Sequence, residues 1–137
     1  MNVAVRYYSQ TGNTKKLAET IANVAGTIAQ TTDIPIAEET DILFLGASVY
    51  WAGIDNHVKQ FIASLDNNKV KKVAVFSTSA LAERAFPSVE KLLRAKGISV
   101  SRDNFYCRGE FKFMHKGRPN AQDLNDAKDF AIKIIQG

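Results

Sequence analysis

The chain has 137 residues, of which 45% are hydrophobic and 23% are charged, and its formal net charge is +4. This length suits one domain of ordinary size, so we expect a single domain over residues 1–137. No apolar run reaches the ~18 residues of a membrane-spanning helix, and the N-terminal stretch MNVAVRYYS is typical of a strand rather than of a secretion signal. These features favour a cytoplasmic protein.

The basic charge does not by itself indicate nucleic-acid binding, because Lys and Arg are interleaved with acidic residues along the chain. Basic residues predominate only in RGEFKFMHKGR, residues 108–118. The single cysteine, Cys107, excludes an intramolecular disulfide and a Cys-based metal centre. Because Cys107 follows the aromatic segment NFY, we interpret it as a small buried hydrophobic residue rather than a reactive thiol.

Four short segments rich in Val, Ile, Phe and Tyr are predicted strands. They are residues 2–8, 42–49, 70–77 and 98–106, and a weaker strand is expected at residues 27–31. The segments at 42–49 and 70–77 contain the nearly continuous apolar runs ILFLG and VAVF. Such runs are expected of strands that helices cover on both faces.

Four amphipathic helices are predicted between and after these strands. Their apolar residues are Leu17, Ile21 and Val24; Val58, Phe61, Ile62 and Leu65; Val89, Leu92 and Leu93; and Leu124, Ala127, Ala131, Ile134 and Ile135. The segment TTDIPIAEET is short and interrupted by Pro, so it is predicted to cross between strands as a loop. The alternation of strands and helices predicts an α/β protein, a parallel sheet between two helix layers.

The polar loop SQTGNT lies between the first strand and the first helix, where an open parallel sheet binds its ligands. Ser9, Thr11 and Thr14 offer hydroxyls and Asn13 offers an amide, while Gly12 permits a tight turn with converging backbone N–H groups. This chemistry suits a phosphate monoester. The alternative is that these residues only cap the helix and shape the turn. The motifs GxxxxGK[ST] and GxGxxG are absent, which disfavours a nucleoside triphosphate and a dinucleotide.

Residues 9–14 match the [ST]-x-T-G-x-T phosphate loop of flavodoxins, in the same place between strand and helix. The run ILFLGASVYWAG and the final helix after GRPNA extend the similarity over most of the chain. The sequence thus resembles a short-chain flavodoxin-like protein. The resemblance implies a three-layer α/β/α sandwich with a five-stranded parallel sheet of order 2-1-3-4-5, and FMN as cofactor. The phosphate would be bound by backbone N–H groups from Gln10 to Thr14 and by the hydroxyls of Ser9, Thr11 and Thr14.

Two further loops hold the isoalloxazine ring in flavodoxins, and the resemblance places them after the third and fourth strands. The implied cofactor-binding residues are Ser48, Val49, Tyr50, Trp51, Ala52 and Gly53 in the first loop, and Ser77, Thr78, Ser79 and Ala80 in the second. Tyr50 or Trp51 is expected to stack on the ring, since an aromatic side chain in a loop needs apolar cover; folding back onto the core is the alternative. Gly53 or Ala52 would allow the peptide reorientation for which the family is known.

Two departures from the family pattern leave the function open. The second ring loop, STSALAE, lacks the usual aromatic residue, which implies that one flavin face is open. The isoelectric point near 9.2 differs from that of the acidic electron carriers of the family, so the expected partner is an acidic redox protein. A flavin-free interaction module that kept only the fold is a third class.

The first hypothesis is electron transfer between protein partners through FMN, with no catalytic side chain. It is favoured because one such domain fills the chain and leaves nothing for a nicotinamide-binding domain. The second is a small FMN-dependent oxidoreductase acting on a quinone- or porphyrin-like, anionic substrate, similar to flavodoxin-type quinone reductases and protoporphyrinogen oxidases. Arg108, Lys112, His115 and Lys116 would attract such an anion or an acidic partner, or would form an ordinary solvated loop.

Asp55 and His57 could be interpreted as an acid–base pair beside the first ring loop. Capping of the following helix by Asp55 or Asn56 is the favoured interpretation, and His57 is given no catalytic role. Lys15 and Lys16 fall in the first turn of the first helix, where we expect their side chains to point to solvent.

Overall fold

The structure, a computed structural model, describes residues 1–50, 53–79, 85–109 and 116–137, with Val49 and Tyr50 described by their backbone. Seven strands lie within these ranges: β1 (Val3–Tyr7), β2 (Ala29–Thr31), β3 (Ile42–Tyr50), β4 (Gly53–Ile54), β5 (Lys72–Ser79), β6 (Ser99–Val100) and β7 (Phe105–Arg108). The helices within them are α1 (Asn13–Ala25), α2 (Asn56–Ser64), α3 (Phe86–Ala95) and α4 (Ala121–Gln136). All four predicted helices are present.

The sheet has the order β2-β1-β3-β5-β6, with β7 also beside β5. These strands are parallel, whereas the two-residue β4 runs antiparallel along the end of β3. When β6 and β7 are taken as two parts of the fifth main strand, the order is the expected 2-1-3-4-5. The antiparallel β4 was not predicted.

The prediction of one continuous strand over residues 98–106 is wrong, because β6 and β7 are separate strands. Val73 pairs with Val100, and Phe76 pairs with Phe105. An advance of three residues along β5 therefore corresponds to an advance of five residues from β6 to β7. The polar residues 101–104, SRDN, form the insertion that interrupts the ladder between β6 and β7.

The core consists of two apolar layers, one on each face of the sheet. Side chains from β3 and β5 alternate between them, so that Leu45 and Val75 pack with α2 and α3 whereas Phe44 and Phe76 pack with α1 and α4. Of the helix residues predicted to face inward, most are buried, among them Leu17, Val58, Leu93 and Ile134. Four are partly buried and pack against the core: Val24, Leu92, Leu124 and Ile135. This two-sided burial explains why the central strands are almost wholly apolar.

Cys107 is a buried core residue, as predicted. It lies in β7, is 6% exposed, and belongs to the layer under α1 and α4. Burial, followed by the nearby negative charge of Asp123, raises the pKa of its thiol to about 12. The thiol is therefore protonated at neutral pH and unsuited to nucleophilic chemistry.

A loop crosses from β2 to β3, as predicted, and a buried cation anchors it. Residues 32–41, all described, contain no helix. The guanidinium of Arg6, a residue only 7% exposed, donates from Nε to the carbonyl of Ile34 (2.8 Å), from Nη2 to that of Pro35 (3.3 Å) and from Nη1 to that of Val5 (3.1 Å). Burial lowers the pKa of Arg6, and these carbonyl contacts compensate for its loss of hydration.

Replacing Arg6 with Met is expected to lower the free energy of unfolding by about 2–3 kcal/mol, because the loop carbonyls lose charged donors. Urea unfolding followed by circular dichroism measures this change. Lys16→Met, at an exposed position of α1, is the control and should change stability by less than about 0.5 kcal/mol. Equal stabilities of the two variants would show that Arg6 does not anchor the loop.

The N-terminus of α4 is fixed by a capping box and an ion pair that share one carboxylate. Asn120 accepts from the N–H of Asp123 and donates its own N–H back to Asp123. The guanidinium of Arg118 donates to both oxygens of Asp123, from Nη2 at 2.7 Å and from Nε at 2.5 Å. Burial opposes ionisation of Asp123, but the hydrogen bonds from Arg118 and Asn120 outweigh it and lower the pKa of this carboxyl.

This lowered pKa predicts an acid-sensitive contribution to stability. The contribution is fully present above the unfolded-state pKa, about 3.8, and is lost as the pH falls through the lower folded-state pKa. The stability of Asp123→Asn should therefore fall less between pH 6 and pH 3 than that of the wild type, as measured by urea unfolding at each pH. Asp129→Asn, at an exposed position of the same helix, should retain the wild-type profile. Parallel profiles for all three proteins would contradict this assignment.

Candidate functional site

The predicted phosphate loop lies at the carboxyl ends of the parallel strands, between β1 and α1. Gly12 is the N-cap of α1 with φ 88°, and no side chain among the described residues caps this helix. By contrast, Asp55 caps α2 and Asn120 caps α4. Within the loop, Ser9 Oγ accepts from the Gly12 N–H at 2.9 Å, which fixes the turn. Gly12, which has no side chain, therefore provides no side-chain cap for the first turn of α1.

Three buried hydroxyls brace the far end of this loop. Thr14 Oγ1 lies 2.5 Å from Ser48 Oγ and 2.9 Å from Thr78 Oγ1, and the latter two are 3.4 Å apart. Thr14 is completely buried, and the three residues come from α1, β3 and β5. This hydroxyl cluster therefore ties the start of α1 to the two central strands.

The structure shows contacts of these hydroxyls that the sequence did not suggest. Thr14, Ser48 and Thr78 were expected to contact the cofactor, whereas their side chains bond to one another inside the fold. We assign them to positioning the loop. Their contact with a cofactor stays a prediction.

The side chain of Asn13 links the loop to the end of β7. A Cβ added at Gly109 would lie 2.8 Å from Asn13 Nδ2, so the two residues are in close contact. The Gly109 N–H also donates to the carbonyl of Ser79 at 3.3 Å. Only glycine fits at position 109 without displacing Asn13.

The remaining predicted site residues are distributed as follows. Gln10 and Thr11 are exposed, Ser77 and Ser79 are buried at the end of β5, and Gly53 begins β4 with φ 91°. Trp51, Ala52 and Ala80 lie outside the described residues, as do the side chains of Val49 and Tyr50. The stacking of Tyr50 or Trp51 on a flavin therefore stays a prediction.

Asp55 caps α2, as predicted, and also holds His57. The Asp55 carboxylate accepts from the His57 N–H at 2.7 Å, and its Oδ1 lies 2.6 Å from His57 Nδ1. Burial opposes ionisation of Asp55, but hydrogen bonds from His57 outweigh it and lower the pKa of the carboxyl. Tyr8, which sequence reasoning missed, stacks on the His57 ring with centroids 4.1 Å apart and planes 6° from parallel.

The basic segment is only partly described, because residues 110–115 fall outside the described ranges. Lys116 is exposed, whereas Arg118 is bound to Asp123 and thus has a structural role. The guanidinium of Arg108 lies 5.5 Å from the centroid of the Tyr106 ring. The segment follows β7 and therefore begins at the same edge of the sheet as the phosphate loop. The expected attraction of an anion by Lys112 and His115 concerns residues outside the described ranges.

The family of the chain follows from comparison with known proteins. A family model described as "Flavodoxin domain" matches residues 4–113. The chain belongs to the flavodoxin-like family. It is 33% identical over 128 residues to the flavodoxin-like domain-containing protein BilS of Clostridioides difficile, covering 80% of this chain and 67% of that protein. It is also 25% identical to an uncharacterised protein of Methanocaldococcus jannaschii, covering 90% of this chain and 91% of that protein.

Solved structures confirm the flavodoxin-like fold. A flavodoxin from the domain Archaea superposes with a TM-score of 0.77 at 21% identity, covering 99% of this chain and 97% of that one. Family and fold are consistent with a flavin-binding redox function. None of the described helices is long and apolar enough to cross a membrane.

The donor groups at this edge of the sheet fit a phosphorylated flavin. An uncapped helix N-terminus preceded by a glycine with positive φ offers backbone N–H groups to an anion. The Oγ of Ser77 is buried and has no hydrogen-bond partner among the residues described. A buried hydroxyl normally forms a hydrogen bond, and a polar group of a bound ligand would provide one. In the described ranges, no three metal-ligating side chains come together.

Proposed function

We propose that this flavodoxin-like protein binds FMN and transfers electrons between protein partners. The observation that carries the proposal is the N-terminus of α1, where Gly12 has φ 88° and no described side chain caps the helix. A 13-residue helix places a partial positive charge at that point, which favours a phosphate dianion over a neutral group. The matching family model supports the assignment of this anion to a flavin phosphate.

The backbone N–H groups from Gln10 to Thr14 would hold the phosphate, with that of Gly12 shared between the phosphate and Ser9 Oγ. The hydroxyls of Ser9 and Thr11 would contribute as well. Ser9 already accepts from the Gly12 N–H, so its own O–H remains available to donate to a phosphate oxygen. Thr11 is exposed on the loop, where its hydroxyl can reach a ligand. Phosphate binding in this arrangement uses no lysine side chain. The exposed Lys15 and Lys16 are therefore given no part in it.

The ring would be held by residues 48–53 and 77–80. The hydroxyl cluster of Thr14, Ser48 and Thr78 fixes the strand ends from which both ring loops begin. Gly53, with φ 91°, supplies a backbone conformation that other residues rarely adopt. FMN, when bound, supplies the redox chemistry, and the chain supplies binding, orientation and the electrostatic environment of the ring.

Carrier function is supported by the family to which the chain belongs. The archaeal flavodoxin and oxidised Flavodoxin 2 from Bacillus cereus, at 21% and 18% identity, share the fold. The net charge of +4 favours an acidic redox protein as the partner, because complementary charge accelerates association.

The test is a pair of isothermal calorimetric titrations of the purified protein, one with FMN and one with riboflavin. We expect FMN to bind at least roughly a hundred-fold more tightly, since two charge-assisted hydrogen bonds are together worth about 3–6 kcal/mol. Equal affinities for the two flavins would contradict the phosphate site. Binding of neither flavin would contradict the proposed cofactor.

The carrier role is tested by mixing the anaerobically reduced FMN complex with oxidised protein acceptors in a stopped-flow instrument. An acidic plant-type ferredoxin should exchange electrons faster than the basic cytochrome c, and that rate should fall as salt rises. Absence of exchange with both proteins, combined with steady turnover of a soluble anionic quinone, would favour the oxidoreductase alternative.

A further inference from the structure

A group of three side chains joins the phosphate loop to the segment after β4. Tyr8 directly precedes Ser9 at the start of the phosphate loop, Asp55 is the N-cap of α2, and His57 lies in the first turn of that helix. Parallel ring stacking connects Tyr8 with His57 at 4.1 Å, and the Asp55 carboxylate holds the His57 ring through Nδ1 at 2.6 Å. We call these three residues the clasp.

The chemistry of the clasp fixes the orientation of the His57 ring. The pKa of Asp55 is lowered, so its carboxylate is ionised at neutral pH and can only accept hydrogen bonds. The 2.6 Å contact with His57 Nδ1 therefore requires a proton on that nitrogen. Tyr8 covers one face of the His57 ring, and the His57 side chain remains 50% exposed.

The clasp and the hydroxyl cluster hold opposite ends of the same loop. Thr14 anchors the end at the start of α1 through Ser48 and Thr78. Tyr8 anchors the end that follows β1 through its stacking on His57. Between these anchors, the Gly12 N–H donates to Ser9 Oγ, and Asn13 lies against Gly109. The conformation of the turn therefore depends on both anchors.

We infer that the clasp is a positioning device that pre-organises the phosphate loop, with His57 as its central residue. This inference rests on the proposed FMN site and goes beyond it, because it assigns affinity for the phosphate to residues that do not touch it. A loop held in its binding conformation loses less conformational freedom when the anion binds. The clasp should thus strengthen binding of FMN and leave binding of riboflavin almost unchanged.

The first arm of the test uses the ligand-free protein and measures amide hydrogen exchange in residues 9–14. His57→Leu and Tyr8→Leu should each accelerate exchange of the Gly12 amide roughly three- to ten-fold, the loss expected for one stacked ring pair. His57→Phe keeps a ring over Tyr8 and should restore part of the protection. Gln60→Ala, at an exposed position of the same helix, is the matched control and should behave as the wild type.

The second arm compares flavin affinities of the same variants. FMN affinity should fall roughly three- to ten-fold in His57→Leu and Tyr8→Leu, while riboflavin affinity changes less than about two-fold. The double variant should lose no more than either single variant, because both remove the same contact. If Tyr8 and His57 had a purely structural role, the variants would lose thermal stability and would bind FMN and riboflavin more weakly to the same extent.

The two arms separate failure of the clasp from failure of the proposed function. If the wild type binds FMN selectively and the variants match it in exchange and affinity, the clasp is wrong and the cofactor assignment stands. Equal weakening of FMN and riboflavin would also overturn the clasp. If the wild type binds neither flavin, the proposed function fails, and exchange in the ligand-free protein still decides whether the clasp orders the loop.

Discussion

Replacing Gly12 with Val is expected to weaken FMN binding roughly a hundred-fold or more while the chain stays folded. Gly12 has φ 88°, a conformation that a β-branched residue adopts only under strain. Relief of that strain would rotate the adjoining peptides and turn their N–H groups away from a common point. Loss of two charge-assisted hydrogen bonds accounts for a change of this size.

The effect on folding should be small by comparison. A Cβ at position 12 meets no atom within 4 Å, so the cost to the free protein is the backbone strain alone, about 1–2 kcal/mol. Gly26 provides a matched control, because it also has positive φ, 72°, and open space around an added Cβ. It lies at the other end of α1.

Calorimetric titration of Gly12→Val and Gly26→Val with FMN separates strain from binding. Both variants should lose similar stability, and only Gly12→Val should lose FMN affinity. Wild-type affinity in Gly12→Val would show that the turn does not hold the phosphate. An equal loss in both variants would attribute the effect to the stability of α1.

Replacing Gly46 with Ala is expected to destabilise the fold by about 3 kcal/mol, the upper range for overpacking of a core. Gly46 lies in β3 beside the hydroxyl cluster, and an added Cβ would approach Phe76 Cε2 and Cζ to 2.5 Å and Thr14 Cγ2 to 3.0 Å. The ring of Phe76 is fully buried and cannot move aside into solvent. The clash should also displace Thr14 and loosen the start of α1.

A second substitution tests whether the clash with Phe76 is the cause. In a Phe76→Leu background the ring atoms are gone, so Gly46→Ala should cost less than about 1 kcal/mol relative to that background. Urea unfolding of the four proteins of this double-mutant cycle gives the coupling energy. The same cost in both backgrounds would contradict the assigned contact.

Features that depend on local pattern were predictable from the sequence. The apolar spacing of Leu17 and Ile21 defines the buried face of α1, and Gly26 marks its end. Asp55 was recognisable as a cap because a short acceptor directly precedes an amphipathic pattern. The order of the main strands followed from the family resemblance, which rested on the phosphate loop.

Contacts between distant segments were not predictable in this way. Thr14 and Thr78 are 64 positions apart, and nothing local shows that their hydroxyls meet inside the fold. Tyr8 looked like the last residue of an apolar strand, and its stacking on His57 depends on how α2 is placed. Arg6 interrupts an apolar strand, a signal that could have indicated a buried anchor for the following loop. The break between β6 and β7 reflects pairing with β5, which the composition of residues 98–106 does not show.

The most direct test of the central claim is a backbone amide spectrum of ¹⁵N-labelled protein, recorded alone, with FMN and with riboflavin. The claim is that the N-terminus of α1 binds the cofactor phosphate through the N–H groups of residues 10–14. It predicts large downfield proton shifts of amides in this loop with FMN and their absence with riboflavin. Identical shifts with both flavins, or an unchanged loop in the presence of bound FMN, would contradict it.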